Sequence, residues 1–272
     1  MIQDYFTLAL KNLKKKKLRS SLTIIGIFIS IATIFILISL SLGLDAAIKE
    51  QFRLLGADKF FIMPKGQAGA PGAGGAVELT TKDVNIIEKV NGVENVVYIA
   101  VGNVKIEYKD KARYYIVIGM PWNTKSTKLI FEAMNLGVDE GRFIKESDKS
   151  KILIGYNYKY ANLFDKPIRT KDKIKLNNVE FEVVGILKSV GNPQDDQQVY
   201  MSMDDFKNMF DSGDRVDQII VQIKLGEDIN KVSDNVKRKL MSFRNVKEKT
   251  IDFSILTPEE LLRSFGTVLN VI

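Results

Sequence analysis

Residues 20–44 contain no charged side chain, and they directly follow a cluster of six cations, Lys11, Lys14, Lys15, Lys16, Lys17 and Arg19. An α-helix rises about 1.5 Å per residue, so a stretch of this length crosses a hydrocarbon core of roughly 30 Å. Its centre, residues 24–42, reads IIGIFISIATIFILISLSL. Ser30, Thr33, Ser39 and Ser41 interrupt the run. On a helix each hydroxyl can donate to the carbonyl one turn earlier, which lowers the cost of placing it in lipid. Asp4 is the one acid before the apolar stretch. The excess of positive charge holds that end in the cytoplasm and sends the chain after Asp45 across the membrane.

Two other readings compete. A secretory signal peptide also pairs a basic start with an apolar run, but that run is about 7–15 residues and ends at a small-residue cleavage site. Here the run is longer and continues into SLGLDAAIKEQF, although Leu44-Asp45-Ala46-Ala47 leaves room for cleavage. A buried helix of a soluble protein needs apolar neighbours on all sides, which a flanking lysine cluster opposes.

The first nineteen residues alone carry +5 of a net charge of +7. The basic balance is therefore mainly a topology signal, and nothing in it calls for nucleic acid. With no cysteine, neither disulfides nor thiol chemistry contribute. With no histidine, the usual acid–base residue at neutral pH is missing, and so is a common zinc ligand. The segment from Asp58 to Asp252 is long enough for one large domain or two small ones.

Past the apolar run, Leu44, Ile48, Phe52 and Leu55 recur at helical spacing, which predicts an outward extension of the first helix over 45–57, capped near Gly56. KFFIM at 59–63 reads as a strand. Residues 65–76, KGQAGAPGAGGA, cannot build a core and lack the G-x-x-x-x-G-K-[ST] pattern of a phosphate loop. Thr80 or Thr81 caps a helix running to about Val90. Strands follow at 96–101, 104–108 and 113–118, with turns at Gly102-Asn103 and Lys109-Asp110. A short helix is expected at 131–134, a strand at 151–154 and a helix at 156–164. A hairpin is expected from 173–176 and 180–187 across Asn177-Asn178. Then come a strand at 199–201, a helix at 203–210, a strand at 218–223 and an amphipathic helix at 229–240 bearing Ile229, Val232, Val236 and Leu240. Thr257-Pro258-Glu259-Glu260 is a capping box, predicting a helix over 257–272 that leads toward a second span. The fold class is α+β in two lobes, since hairpin-length connections are too short for a parallel, doubly wound sheet.

No residue qualifies as catalytic, cofactor-binding or metal-ligating. Asp195-Asp196 is the most acidic turn, but paired carboxylates in a loop are usually solvated. Ser126 with Lys128 is too weak a pair to nominate a nucleophile. Met201, Met203 and Met209 read as packing residues.

Ala9-Leu10-Lys11-Asn12-Leu13, followed by Lys17-Leu18-Arg19-Ser20-Ser21-Leu22-Thr23-Ile24-Ile25-Gly26-Ile27, resembles the start of the MacB/FtsX-like permeases of ABC transporters. Ser30 stands where a glycine is common. The resemblance extends through Leu55-Gly56-Ala57-Asp58, Gly141-Arg142-Phe143, Ile154-Gly155, Leu163-Phe164, Phe181–Leu187 and Thr257-Pro258-Glu259-Glu260-Leu261. It implies a cytoplasmic segment at 1–19, a transmembrane helix at 20–44 and a MacB-like extracytoplasmic core at 58–256. That core would hold a Porter-like α+β lobe, from 59 to about 115 and from about 192 to 252, with a mostly β lobe inserted. It also implies a cytoplasmic ABC ATPase subunit as partner, a permease homodimer or heterodimer, contact with membrane lipid and an extracytoplasmic protein partner. The location implied is the cell membrane, with no cofactor and no enzymatic activity in this chain. Tyr5, Phe6, Leu8, Leu10 and Leu13 suit a helix lying along the inner membrane surface. A single-pass anchored binding or scaffold protein is the competing function, and an anchored hydrolase the third.

Overall fold

The computed structural model describes residues 17–55, 58–66, 77–161 and 163–260. The expected surface helix before residue 17, the cap at Gly56, the glycine-rich stretch from 67 to 76 and the lead-in beyond Glu260 lie outside them. The N-terminal helix and the domain beginning at Phe52 are separate units.

The first unit contains α1 (Lys17–Leu55), one uninterrupted helix of 39 residues. Its large aliphatic side chains between Leu18 and Leu44 are exposed all round. An apolar helix with no buried face is built for a solvent of hydrocarbon.

In the domain, ten strands share one sheet. Four of them make the first lobe: β1 (Lys59–Pro64), the front half of β3 (Val93–Tyr108), β11 (Gln218–Ile223) and β12 (Phe253–Leu256), in the order β12-β1-β11-β3 and antiparallel throughout. Their apolar face packs on α2 (Thr81–Ile87) and α6 (Ile229–Arg244) through Phe60, Ile62, Val84, Ile87, Val232, Val236 and Leu240. Thr80 and Asp83 form a capping box at the start of α2, and Asp228 accepts from Asn230 N and Lys231 N at the start of α6. A short pair, β2 (Leu79–Thr80) with β10 (Arg215–Val216), flanks this lobe.

The second lobe is a closed barrel. The back half of β3 pairs with β4 (Lys111–Met120), then the order runs β9 (Val199–Ser202), β6 (Lys151–Ile154), β8 (Val179–Leu187) and β7 (Lys173–Leu176), which returns to β3. Closure removes the free edges of these strands. Val104, Ile106, Val117, Ile152, Ile154, Ile174, Leu176, Val183 and Met201 fill the interior on alternate positions. The strand β5 (Val138–Gly141) adds outside β8, and α3 (Thr124–Ala133) covers the outer face with Leu129, Ile130 and Trp122. A single turn, α4 (Asn157–Tyr160), and α5 (Met203–Phe210) complete the lobe.

The two-lobed α+β expectation holds, with several corrections inside it. Residues 93–108 are one strand rather than two. Gly102-Asn103 resembles a turn in composition, yet neither residue takes positive φ. Gly102 is there for space: a Cβ on it would lie 2.8 Å from the Phe210 ring. The inserted lobe also starts earlier and ends later than expected, because β4, β9 and α5 all belong to the barrel. α3 begins seven residues before the expected helix, capped by Asn123, which accepts from Ser126 N. The helix expected over 156–164 is only α4, and α2 stops at Ile87. Two pairings, β4–β9 and β6–β8, are parallel.

Packing of α5 gives the first testable consequence. A Cβ on Gly119 would lie 2.4 Å from Phe206 Cβ, an atom too close to its own backbone to swing away. Gly119→Ala is therefore expected to destabilise the domain by about 1–3 kcal/mol, the usual cost of overpacking. The chain has one tryptophan, the buried Trp122, so its emission during urea unfolding measures the change directly.

Candidate coupling site

Within α1, residues Lys17–Leu44 form the one helix among the described residues that is long and apolar enough to cross a membrane. Thr23 Oγ1 donates to Arg19 O at 3.0 Å, Ser30 Oγ to Gly26 O at 2.9 Å and Thr33 Oγ1 to Ile29 O at 2.8 Å. These polar groups are satisfied inside the helix, as a lipid environment demands.

The domain's strand nearest α1 in the chain is β1, and its start is tied down by charge. Asp58 accepts from Gln222 Nε2 at 2.7 Å and from Lys59 Nζ at 2.8 Å, while its carbonyl accepts from Ile223 N at 2.9 Å. Burial alone would raise the Asp58 carboxyl, but the hydrogen bonds from Gln222 and Lys59, with the Lys59 charge, outweigh it and hold the group below its ordinary value of 3.8. A depressed carboxylate pKa means stability that is fully present above the unfolded value and lost as pH falls through the folded one. The stability difference between the native protein and Asp58→Asn is thus expected to stay constant from neutral pH down to about pH 4, then shrink below it. Urea midpoints measured from pH 7 to pH 2 give that curve.

Next to β1 lies β12, with Phe61 opposite Leu256 and Met63 opposite Ser254. Immediately after β12 the predicted capping box is present: Glu260 N donates to Thr257 Oγ1 and Thr257 N to Glu260 Oε2, both at 3.2 Å. The strand that follows the membrane helix and the strand that ends at this new helix start are hydrogen-bonded neighbours.

A second clamp sits behind them. Arg244, in the last turn of α6, donates through Nη1 to Asp83 Oδ2 at 2.9 Å and through Nη2 to Asp252 Oδ2 at 2.8 Å. Asp83 is wholly buried at the start of α2, and Asp252 directly precedes β12. One planar guanidinium thus fixes α2, α6 and the approach to β12 together. The two Asp252 contacts come first in holding the Arg244 charge, with Asp83 adding to it.

A third polar group lies where the lobes meet. Val101 N donates to the buried Asp217 Oδ2 at 2.8 Å, and Val101 O accepts from Arg215 Nη2 at 2.9 Å. Sequence reading passed over Asp83, Arg215, Asp217 and Arg244. The available signal was charge set immediately beside apolar strand and helix ends, as in Arg215-Val216-Asp217.

The residues that the sequence did raise have structural roles. Asp195 accepts from Asn192 and Gln198, and Asp196 from Ser189 and Val190, so all four carboxylate oxygens close the loop between β8 and β9. Burial, the largest influence, pushes the Asp195 carboxyl up, helped by the charge of Asp196. Among the described residues there is no cluster of three or more His, Cys, Asp or Glu suited to a metal. Ser126 and Lys128 are two apart on α3 and do not face each other. Met201 and Met203 belong to the barrel interior, and Met209 packs against it.

The profile of the MacB-like periplasmic core domain matches residues 20–239. The chain belongs to this family. An uncharacterized ABC transporter permease of Methanocaldococcus jannaschii is 36% identical over 275 residues, covering all of this chain and 65% of that protein. The macrolide export ATP-binding/permease protein MacB of Bdellovibrio bacteriovorus is 25% identical over 250 residues, covering 86% of this chain and 37% of its own length. The chain therefore spans about a third to two thirds of these relatives. Among solved structures, the periplasmic region of MacB from Actinobacillus actinomycetemcomitans superposes with a TM-score of 0.65 at 18% identity, covering 81% of this chain and 98% of that one. The extracellular domain of the transporter YknZ gives 0.55 at 21%, covering 73% and 98%. The MacB-like chain thus has an N-terminal membrane-spanning helix followed by a large extracytoplasmic domain. Two segments that carried the sequence resemblance meet in space: Gly141, with φ +84°, lies opposite Gly185, and a Cβ on it would be 2.3 Å from Val184 O.

Proposed function

We propose that the chain is part of a permease subunit of a MacB/FtsX-type ABC transporter, in which motion of a cytoplasmic ATPase is passed to the extracytoplasmic domain for export or mechanical signalling. The observation that carries this reading is the adjacency of β1 and β12, with Phe61 opposite Leu256. A relative shift of the membrane segments attached to two neighbouring strands is felt by one sheet. β3 belongs to that sheet and continues into the barrel, and packed elements answer such a shift by discrete movement. The sequence has no G-x-x-x-x-G-K-[ST] pattern, so ATP hydrolysis falls to a partner.

The permease, the ATPase and lipid form the working assembly in this reading, with a homodimer or heterodimer of permeases at its centre and a protein partner outside. Copurification of the full permease with an ABC ATPase subunit from gently solubilised membranes tests it. Stable association, with ATPase turnover that changes when the extracytoplasmic domain is cross-linked, is the expected result. No association under membrane-preserving conditions favours an anchored scaffold instead.

A further inference from the structure

We propose that Asp217 and Arg215 form a latch that locks the barrel to the first lobe, and that its release converts the junction into a hinge. The proposal concerns the two lobes of the domain whatever drives them, so it goes beyond the permease reading. The backbone joins the lobes at two places. One is β3, whose ladder with β11 ends at Ile99 and whose ladder with β4 begins at Ala100, without overlap. The other is the connector from α5 to β10, residues 211–214, where Asp211 and Gly213 both take positive φ.

Between Ile99 and Ile106, where β7 next pairs with it, one edge of β3 has no strand partner. An unpaired, buried peptide group is costly, and something must replace the missing strand. Asp217 N donates to Ile99 O at 2.9 Å, Asp217 Oδ2 accepts from Val101 N, and Arg215 Nη2 donates both to Val101 O and, at 3.1 Å, to Asp217 Oδ2. Two side chains from the second crossing thus hold the backbone of the first. On the sheet face, Val97, Ile99 and Ile220 meet Leu129 and Ile130 of α3 and brace the same junction by apolar contact. That contact is non-directional and survives small rotations, whereas charge-assisted hydrogen bonds do not.

A second observation marks the connector as imperfectly satisfied in the latched form. Arg215 Nε and Ser212 Oγ are both buried without a hydrogen-bond partner. Buried polar atoms left unpaired raise the energy of the closed arrangement. The latch therefore holds strongly at Val101 while its own connector favours release.

The test uses the full chain in lipid nanodiscs. The protein has no cysteine, so Lys82→Cys and Lys175→Cys, at exposed positions in α2 and β7, accept spin labels at one site in each lobe. A single narrow distance distribution is expected for the otherwise native chain, and a broadened one after Asp217→Ala. Hydrogen exchange of the Val101 amide should rise by about tenfold or more, the worth of one charge-assisted hydrogen bond, while the amides of β11 and β6 keep their protection. If Asp217→Ala does not fold, Arg215→Gln is read the same way and should broaden the distribution to a smaller degree. An unchanged distribution in the folded variant, or exchange that rises equally in every strand, overturns the latch.

Discussion

Arg244→Ala is expected to be among the most damaging single changes in the domain, at about 3–5 kcal/mol, because breaking a buried ion pair strands the charge that remains. Asp83 has no solvent exposure, and Arg244 is the cation that reaches it. Removing the guanidinium leaves that carboxylate with only Thr80 N and Thr80 Oγ1 as donors, at 2.8 and 3.1 Å. Asp252 loses its fork at the same moment, which frees the approach to β12. Arg244→Lys should recover part of the loss and no more, since an ammonium cannot reach both acids with parallel donors. Equilibrium unfolding followed by Trp122 fluorescence checks both variants. A cost for Arg244→Ala below about 1 kcal/mol, the scale of an exposed ion pair, would mean that the clamp is ornamental.

Phe206→Ala should cost a similar amount, about 3–5 kcal/mol, by a different route. Phe206 has no exposure, lies in the barrel cluster and sits 4.5 Å from the Phe210 ring, centroid to centroid. Gly119 leaves the room in which this side chain is seated. Truncation opens a cavity that the barrel, closed by hydrogen bonds around its whole circumference, cannot collapse to fill. Trp122 lies in a neighbouring cluster, so a single coincident transition by fluorescence and circular dichroism is expected if both lobes unfold as one. Two separated transitions would show the barrel melting by itself.

Features that depend on local chemistry could be read directly from the sequence. The apolar run, the stripe of Val232, Val236 and Leu240, and the capping box at Thr257 need only neighbours within a few residues. The hairpin at Asn177-Asn178 is another case, and both asparagines do adopt positive φ, 46° and 69°. Features that depend on distant partners could not be read. Closure of the barrel rests on β7 meeting β3, a pairing that no turn residue announces. The exchange of partners within β3 also leaves no local mark, because an alternating apolar strand looks the same whichever strand lies beside it. α3 was misplaced because its first turn, Thr124-Lys125-Ser126-Thr127, is polar, and only the cap at Asn123 reveals it. The candidate site was hidden for the same reason: Arg244 and Asp83 are 161 residues apart, and Val101 and Asp217 are 116 apart.

The pairing of β1 with β12 has an architectural consequence. Adjacent strands lie about 5 Å apart, so the domain takes in its polypeptide and gives it back at almost the same point. A module with such a doorway can be grafted between two successive membrane helices without forcing them apart. Its interior can then diversify, gain an inserted barrel or lose one, while the bilayer-embedded machinery below keeps its spacing.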